Sequence, residues 1–573
     1  MSALGWSIVI GLNGGIILLG LLKARETHSS VDWFLAARGL PWWIVGLSMF
    51  ATAVDSGDYV AVTGSAYQQG LPYMSAWWVG MTAGWLAVAY VVFMPMYRAG
   101  LFTNSEYLEY RFGPVARVLS VIIQFQSRTN VLANVTFSLY LTFSVLSGWS
   151  DQTTWWFVVG IALGAAVYTS TGGLKSVVLT DALQAAVMLI ASVVLWWSVW
   201  SAVGGWTGLE STLADYVESE KLEANVARAM THIGSPADAE APAVLIMIGW
   251  VIVMTGYCVI NQSQAMRMLA ARSVWDLRMA AVAAGTVTII VMWFNVTLGT
   301  LGRAVIPDLQ ATDKIFPLLV DQFLVPLGGG LTGIVVAGLL AGGISTYDSV
   351  GSALAAIFTR DVYARFIVQR ADDKHYVRVS RIMTFLAIGI SFAYIPFIDG
   401  GMVSFYLKLA GVAVIPLLTV YLMGVLTRVH RASGSIGLFV GIGIGLTRFA
   451  DPLVEAWFDT TLPVWWTNTW WGYVWSVLIT ALVMLGTSVV LGWAKAEEIK
   501  GLTFSRTDPG KVEIPKIAGL EGSWLEKSQR TVPEMPESPF LATAGGTPWY
   551  ARSSLWTGLL IAAVVMLNFV LFW

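Results

Sequence analysis

About fourteen apolar runs, each close to the twenty residues needed to cross a hydrocarbon core, confine this chain to one architecture: a bundle of membrane helices. They fall at 4–23, 41–66, 73–98, 117–146, 155–172, 178–202 and 243–268, then at 277–302, 327–357, 378–397, 404–426, 433–449, 471–493 and 554–573. Over 573 residues the chain is 56% hydrophobic and 12% charged, far from either an ordinary soluble domain or a disordered segment. The first run lacks a basic start and a small-residue cleavage site, so it reads as a retained helix rather than a signal peptide. Cys258 is the single cysteine, which excludes an internal disulfide and any cysteine-cluster metal site. The four histidines are scattered through the polar connections without metal-ligand spacing, so a metalloenzyme has little support. The formal net charge of −2 hides a segregation of sign by loop, and no nucleic-acid partner is expected.

That segregation predicts an orientation. Lys23, Arg25, Arg38, Arg98, Arg111, Arg117, Lys175, Arg267, Arg272 and Arg278 occupy alternate connections, and so does the cluster Arg360, Arg365, Arg370, Lys374, Arg378 and Arg381. Such connections face the cytoplasm, which puts both termini outside. The opposite connections are acidic or neutral, as in Glu210, Asp215, Glu218, Glu220 and Glu223 of the 203–241 loop. The cytoplasmic stretch 494–553 is polar and proline-containing and reads as a surface segment. Trp42, Trp43, Trp77 and Trp78 lie near predicted helix ends, where interface anchoring is the default role.

Polar residues inside these runs single out candidate sites. In 341–363, Gly342, Ser345, Thr346 and Ser349 fall at i, i+3, i+4 and i+7, so one helix face carries small residues and hydroxyl oxygens beside Asp348. An all-oxygen face suits a hard monovalent cation, and an intramembrane carboxylate marks an ion path by default; close helix packing explains the small residues equally well. Arg128 lies too deep in the 117–146 run to snorkel, so an anionic group is expected to face it. The glycine run 441–445 has no preceding strand and reads as helix packing, not a nucleotide loop.

Five segments resemble the sodium/solute symporter family, which includes sodium/glucose, sodium/proline and sodium/sialic acid transporters: FLAARGLPWWIVGLSMFATAVDSGDYVAVTGSAY at 34–67, TNSEYLEYRFG at 103–113, STGGLKSVVLTDALQ at 170–184, NQSQAMRMLAARS at 261–273, and the 341–363 helix. The resemblance implies an all-α transporter with a five-plus-five inverted-repeat (LeuT-like) core. Its repeats would span 41–202 and 243–427, within a single transmembrane domain over 1–573 whose peripheral helices occupy 433–573. It further implies sodium-coupled import by alternating access in a bacterial-type plasma (inner) membrane, with no enzymatic activity. Sodium would be held by carbonyls of Ala51, Val54 and Gly342 and the hydroxyls of Ser345 and Thr346. The helix would have to break near 51–58, where Ser56, Gly57, Asp55 and Asp58 interrupt an apolar run. Asp181, Asp348 and Ser349 match a second cation site of some members; a second sodium, a proton or a structural ion pair all remain open, since two carboxylates in one pocket push one pKa up.

For the substrate, the resemblance points to Tyr257 as a stacking aromatic, while Trp77, Asp58 and Lys408 stand where sugar transporters carry glutamate and glutamine. With Arg128, these five residues favour a carboxylate-bearing or zwitterionic solute. Alternatives are a sugar, or a solute sensor without transport; Arg128 pairing with an intramembrane Asp and Lys408 snorkelling would be the plain structural explanation. The expected partners are one or two sodium ions, a small solute and the bilayer, with the chain a monomer or weak oligomer.

Overall fold

The computed structural model describes residues 1–24, 30–237, 241–398, 401–448, 451–504, 517, 519–530, 532, 536–537 and 548–573. Among them the chain is helical throughout, and an isolated bridge between Leu40 and Ala271 is the only β pairing. Among the described residues, twelve helices are long and apolar enough to cross a membrane. Two shorter apolar helices, Trp42–Ala53 and Ser433–Thr447, occupy the remaining predicted runs.

The difference between runs and spans has a cause in each case. The 41–66 run is two helices, α1 (Trp42–Ala53) and α2 (Ser56–Gln69), because Val54 (φ −119°, ψ 117°) and Asp55 (φ −132°, ψ −173°) are extended. Asp55 then restarts the helix with a capping box: its carboxylate accepts the Asp58 N–H at 3.1 Å, and the Asp58 carboxylate accepts the Asp55 N–H at 3.0 Å. Four continuous spans follow: α3 (Leu71–Arg98), α4 (Pro114–Ser147), α5 (Asp151–Thr171) and α6 (Leu174–Val203).

The second half repeats this order. Helices α7 (Ala243–Ile260) and α8 (Gln262–Leu269) are separated by Asn261 (φ −77°, ψ 104°), whose side chain accepts the Ser263 N–H at 3.0 Å. The sequence analysis treated 243–268 as one run and did not place this break. It is followed by α9 (Val274–Val305), α10 (Gly329–Ile367), α11 (Asp373–Phe397) and α12 (Met402–Leu426).

Helices α6 and α10 pack along most of their length, and α9 lies against α1 and α2. Gly338 sets the first contact, since an added Cβ would stand 2.3 Å from the Ala191 Cβ. Several residues read as loop or interface groups lie inside this bundle. Trp77 and Trp78 are buried, and so are Arg117, Arg267 and Arg360, while Trp43 is exposed. Arg117 pairs with Asp361 and Glu109, and Arg365 reaches the other oxygen of Glu109 at 2.9 Å. Carboxylates on neighbouring elements absorb the charges of Arg117 and Arg267, and Arg360 stacks on the Phe102 ring at 3.7 Å, which a linear count of basic loops cannot detect.

The 494–553 stretch, where described, is docked rather than loose. Trp524 stacks on Tyr376 at 4.0 Å and donates to Asp373 at 2.5 Å, and the Phe504 N–H donates to the Val425 carbonyl at 2.8 Å.

Candidate functional site

The break between α1 and α2 faces the small-residue side of α10. Gly342 makes the approach possible: a Cβ there would lie 3.2 Å from both the Asp55 carbonyl carbon and the Ser56 nitrogen. Ser345 Oγ is 3.0 Å from the Ala51 carbonyl oxygen, and the buried Thr346 Oγ1 has no hydrogen-bond partner among the described residues. Ala51, Val54, Gly342, Ser345 and Thr346 are all buried around this point. The helix break matters because it releases carbonyl oxygens that a continuous helix would consume.

Beside these oxygens lies a residue the sequence analysis had counted as a basic loop marker. The Arg267 guanidinium, on α8, donates from Nη2 to Asp181 Oδ2 at 2.7 Å and to Ser349 Oγ at 2.5 Å. Its Nε donates to Ser48 Oγ at 2.6 Å, and its Nη1 to the Ser263 carbonyl at 2.7 Å. Ser48 in turn donates to Asp181 Oδ2 at 2.5 Å, and Ser345 donates to Asp181 Oδ1 at 2.6 Å. Two of the three residues expected to hold a second cation, Asp181 and Ser349, are thus partners of a protein guanidinium. Asp348 stands apart: it faces Thr169 and Tyr168 on α5, and its Oδ1 has no partner among the described residues. Asn261 is the sequence signal for this cluster, since it turns α8 back into the bundle and carries Arg267 with it.

A cavity of about 90 Å³ adjoins the α1–α2 break. Asp55 and Asp58 form one wall, and the rings of Tyr73, Trp77, Tyr257 and Tyr406 line much of the rest. Asn134 Oδ1 and Trp77 Nε1 are buried in this lining without partners among the described residues. Tyr73, Tyr406 and Asn134 were not anticipated. Arg128 lies behind the tyrosines: its guanidinium carbon is 4.6 Å from the Tyr257 ring centroid, and Nη2 donates to Tyr406 at 3.5 Å and Ser127 at 3.1 Å. Its Nε and Nη1 are buried without partners, and no carboxylate among the described residues pairs with it. The plain structural explanation, Arg128 paired with an intramembrane Asp, is therefore not found among the described residues.

Lys408 requires correction as a pocket residue. It is exposed on α12, whereas Val403 and Tyr406 of the same helix line the cavity. Two residues beyond Tyr406 is a rotation of about 200°, so the spacing to Pro416 that suggested Lys408 carried it onto the opposite face.

Outside the spans, Asp313 caps α12 by accepting the Met402 N–H at 3.1 Å. Burial pushes its carboxyl up to about 6, opposed by that backbone hydrogen bond.

Comparison with known proteins follows the same outline. The profile of the sodium:solute symporter family matches residues 33–442. A sodium/glucose cotransporter of Vibrio parahaemolyticus is 27% identical over 501 residues, covering 83% of this chain and 89% of that protein. Human sodium/myo-inositol cotransporter 2 is 27% identical over 567 residues, covering 91% and 82% respectively. The solved structure of a substrate-bound, outward-open Na+-coupled sialic acid symporter superposes with a TM-score of 0.68 at 18% identity, covering 86% of this chain and 99% of that one.

Proposed function

Because this chain belongs to the sodium:solute symporter family, an integral-membrane family of transporters rather than enzymes, we propose that it imports a small zwitterion or carboxylate together with one sodium ion. The observation that carries the substrate class is Arg128: a buried guanidinium with two unpartnered N–H groups behind the aromatic wall of a cavity whose other wall holds Asp55 and Asp58. A carboxylate in the cavity satisfies the Trp77 donor and, once Tyr257 and Tyr406 turn aside, those of Arg128; an ammonium group satisfies Asp58 and Asn134 and stacks against the aromatic faces.

Sodium takes the carbonyls of Ala51, Val54 and Gly342 with the Ser345 and Thr346 hydroxyls. Asp181 supports this arrangement from outside the ion's contacts. By accepting the Ser345 proton, it leaves the Ser345 lone pairs for the cation. The ion holds the α1–α2 break against α10 and so assembles the cavity wall that starts at Asp55. Substrate closes the outer path, and parting of α1 from α10 towards the cytoplasm dismantles the sodium site and releases both solutes.

One sodium per cycle follows from Arg267, a fixed cation on Asp181 and Ser349 that removes the need for a second ion there. Sodium entering down about 100 mV gains about 2.3 kcal/mol, and a tenfold gradient adds about 1.4. The sum, about 3.7 kcal/mol, supports about five-hundredfold accumulation of a zwitterion. The protein works as a monomer or weak oligomer in a bacterial-type plasma membrane with both termini outside.

The test is uptake of labelled amino acids, carboxylates and sugars into proteoliposomes with and without an inward sodium gradient. Sodium-driven accumulation of a zwitterion or carboxylate, abolished by Arg128→Ala, is the expected result. Sodium-driven sugar uptake indifferent to Arg128 would retain the symporter and reject the substrate class. Uptake indifferent to sodium would reject the ion site.

A further inference from the structure

A second cavity, of about 370 Å³, lies at the end of the bundle that carries the arginine-rich connections, far from the α1–α2 break. Its walls come from the last turn of α3, the end of α12 and the 496–504 segment. That segment is fastened at several points. The Ala494 N–H donates to the Arg428 carbonyl at 3.0 Å, the Phe504 N–H to the Val425 carbonyl at 2.8 Å, and the Tyr107 hydroxyl to the Leu502 carbonyl at 2.9 Å. The cavity is therefore a built feature with a backbone-bonded wall.

Three cations converge on it: Arg98, Arg428 and Lys500. Among the described residues, one carboxylate forms an ion pair with these cations: Glu537, with Arg98 at 3.1 Å. Arg98 Nε remains buried without a partner, and Lys500 is exposed with no hydrogen bond or ion pair among the described residues. Glu498 is not among the lining residues; its carboxylate accepts the Lys495 N–H at 3.1 Å. Leu426, Ile499 and Phe504 share the lining, and Leu426 and Phe504 are exposed. An anion with an apolar attachment matches this combination: guanidinium forks and an ammonium for the charge, and an exposed apolar rim for the chain.

We propose that this cavity binds a phosphate group, and that the phosphate is the headgroup of an anionic phospholipid. Basic pockets between helix ends on the cytoplasmic side are where such headgroups bind, and the volume falls in the range of pre-formed ligand sites. The choice of lipid over free phosphate leans on the orientation proposed above; the phosphate chemistry itself does not.

Native mass spectrometry of the full-length protein tests this, in micelles carrying phosphatidylglycerol, phosphatidylcholine, or inorganic phosphate without lipid. One phosphatidylglycerol per chain is expected to be retained at least tenfold better than phosphatidylcholine. The Arg428→Gln/Lys500→Gln variant should lose that preference, while Lys374→Gln/Arg378→Gln, the same change of charge at exposed positions elsewhere, should keep it. Arg428 also holds the Ala494 carbonyl. Lys500→Gln alone therefore provides a variant that breaks no hydrogen bond, with an expected loss of about threefold. Equal retention of phosphatidylglycerol by wild type, Arg428→Gln/Lys500→Gln and Lys500→Gln overturns the site. Inorganic phosphate that competes as well as phosphatidylglycerol, through the same residues, overturns the lipid and assigns the cavity to a free phosphate.

Discussion

Arg267 and Arg128 are equally buried, at 1% and 2% exposure, yet they live in opposite circumstances. Every nitrogen of the Arg267 guanidinium has an oxygen partner, and its charge is met by Asp181 at 2.7 Å. Arg128 keeps one edge on Ser127 and Tyr406, stacks on Tyr257, and leaves two nitrogens unpartnered. A charge held without a partner in a low-dielectric interior is costly and marks a functional position; the same charge fully bonded belongs to the scaffold. The two arginines thus divide the centre of the molecule into a part whose donors are all bonded and a part whose donors are not.

The largest effect that would break this division is at Arg267. Arg267→Met leaves Asp181 as an uncompensated buried carboxylate, which should cost about 3–5 kcal/mol of stability. Adding Asp181→Asn should restore much of the loss. Thermal unfolding in detergent, run as a double-mutant cycle, measures the coupling. Additive losses would show that Arg267 is not held by Asp181, and the scaffold reading would fall.

Arg128→Ala should behave in the reverse way. Folding should change by less than about 1 kcal/mol, because no ion pair is lost, while kcat/KM for uptake falls about a hundredfold, near 2.7 kcal/mol and in the range of a hydrogen bond to a charged group. If Arg128→Ala instead unfolds the protein with an intact substrate KM in the surviving fraction, the two arginines are of one kind.

How far these roles were legible in the sequence depends on what sets them. The break after Val54 could be read directly, because Asp55, Ser56, Gly57 and Asp58 cluster inside an apolar run and the capping box is local. The break at Asn261 could not, since a single amide near the end of a run looks like an ordinary helix terminus. That omission propagated: without the turn at Asn261, Arg267 counts as a loop charge rather than the partner of Asp181. Lys408 failed for a related reason, because matching a motif fixes distance along a helix but not which face neighbouring helices leave open. The helix order and family were carried by composition and motif strings, which survive such errors.

Asp313 offers a smaller test of the same principle, outside the membrane spans. Its pKa, near 6 in the folded protein, exceeds the ordinary carboxylate value near 3.9. The folded state therefore binds the proton more tightly, and the associated stability is fully present below about pH 3.9 and lost as pH rises through about 6. At pH 5 the gain relative to pH 7 should be about 1 kcal/mol. Thermal unfolding across pH 4–7 should show this slope in wild type and a flatter one in Asp313→Asn. Parallel slopes would show that the Met402 cap, rather than burial, governs Asp313.

Gly342→Ala probes the seam between the complete and incomplete halves and should have the mildest consequence. The new Cβ would stand 3.2 Å from the Asp55 carbonyl carbon and the Ser56 nitrogen, tight enough to push α10 and the break apart by a few tenths of an ångström. The oxygens proposed to bind sodium sit on both sides of that contact, whereas the unpartnered nitrogens of Arg128 do not. The half-saturating sodium concentration for uptake should therefore rise about fivefold, near 1 kcal/mol, with substrate KM at saturating sodium unchanged. A substrate KM that rises in step with sodium would mean that the carbonyls of the break and the cavity wall beginning at Asp55 move as one body, which would erase the boundary drawn between the two arginines.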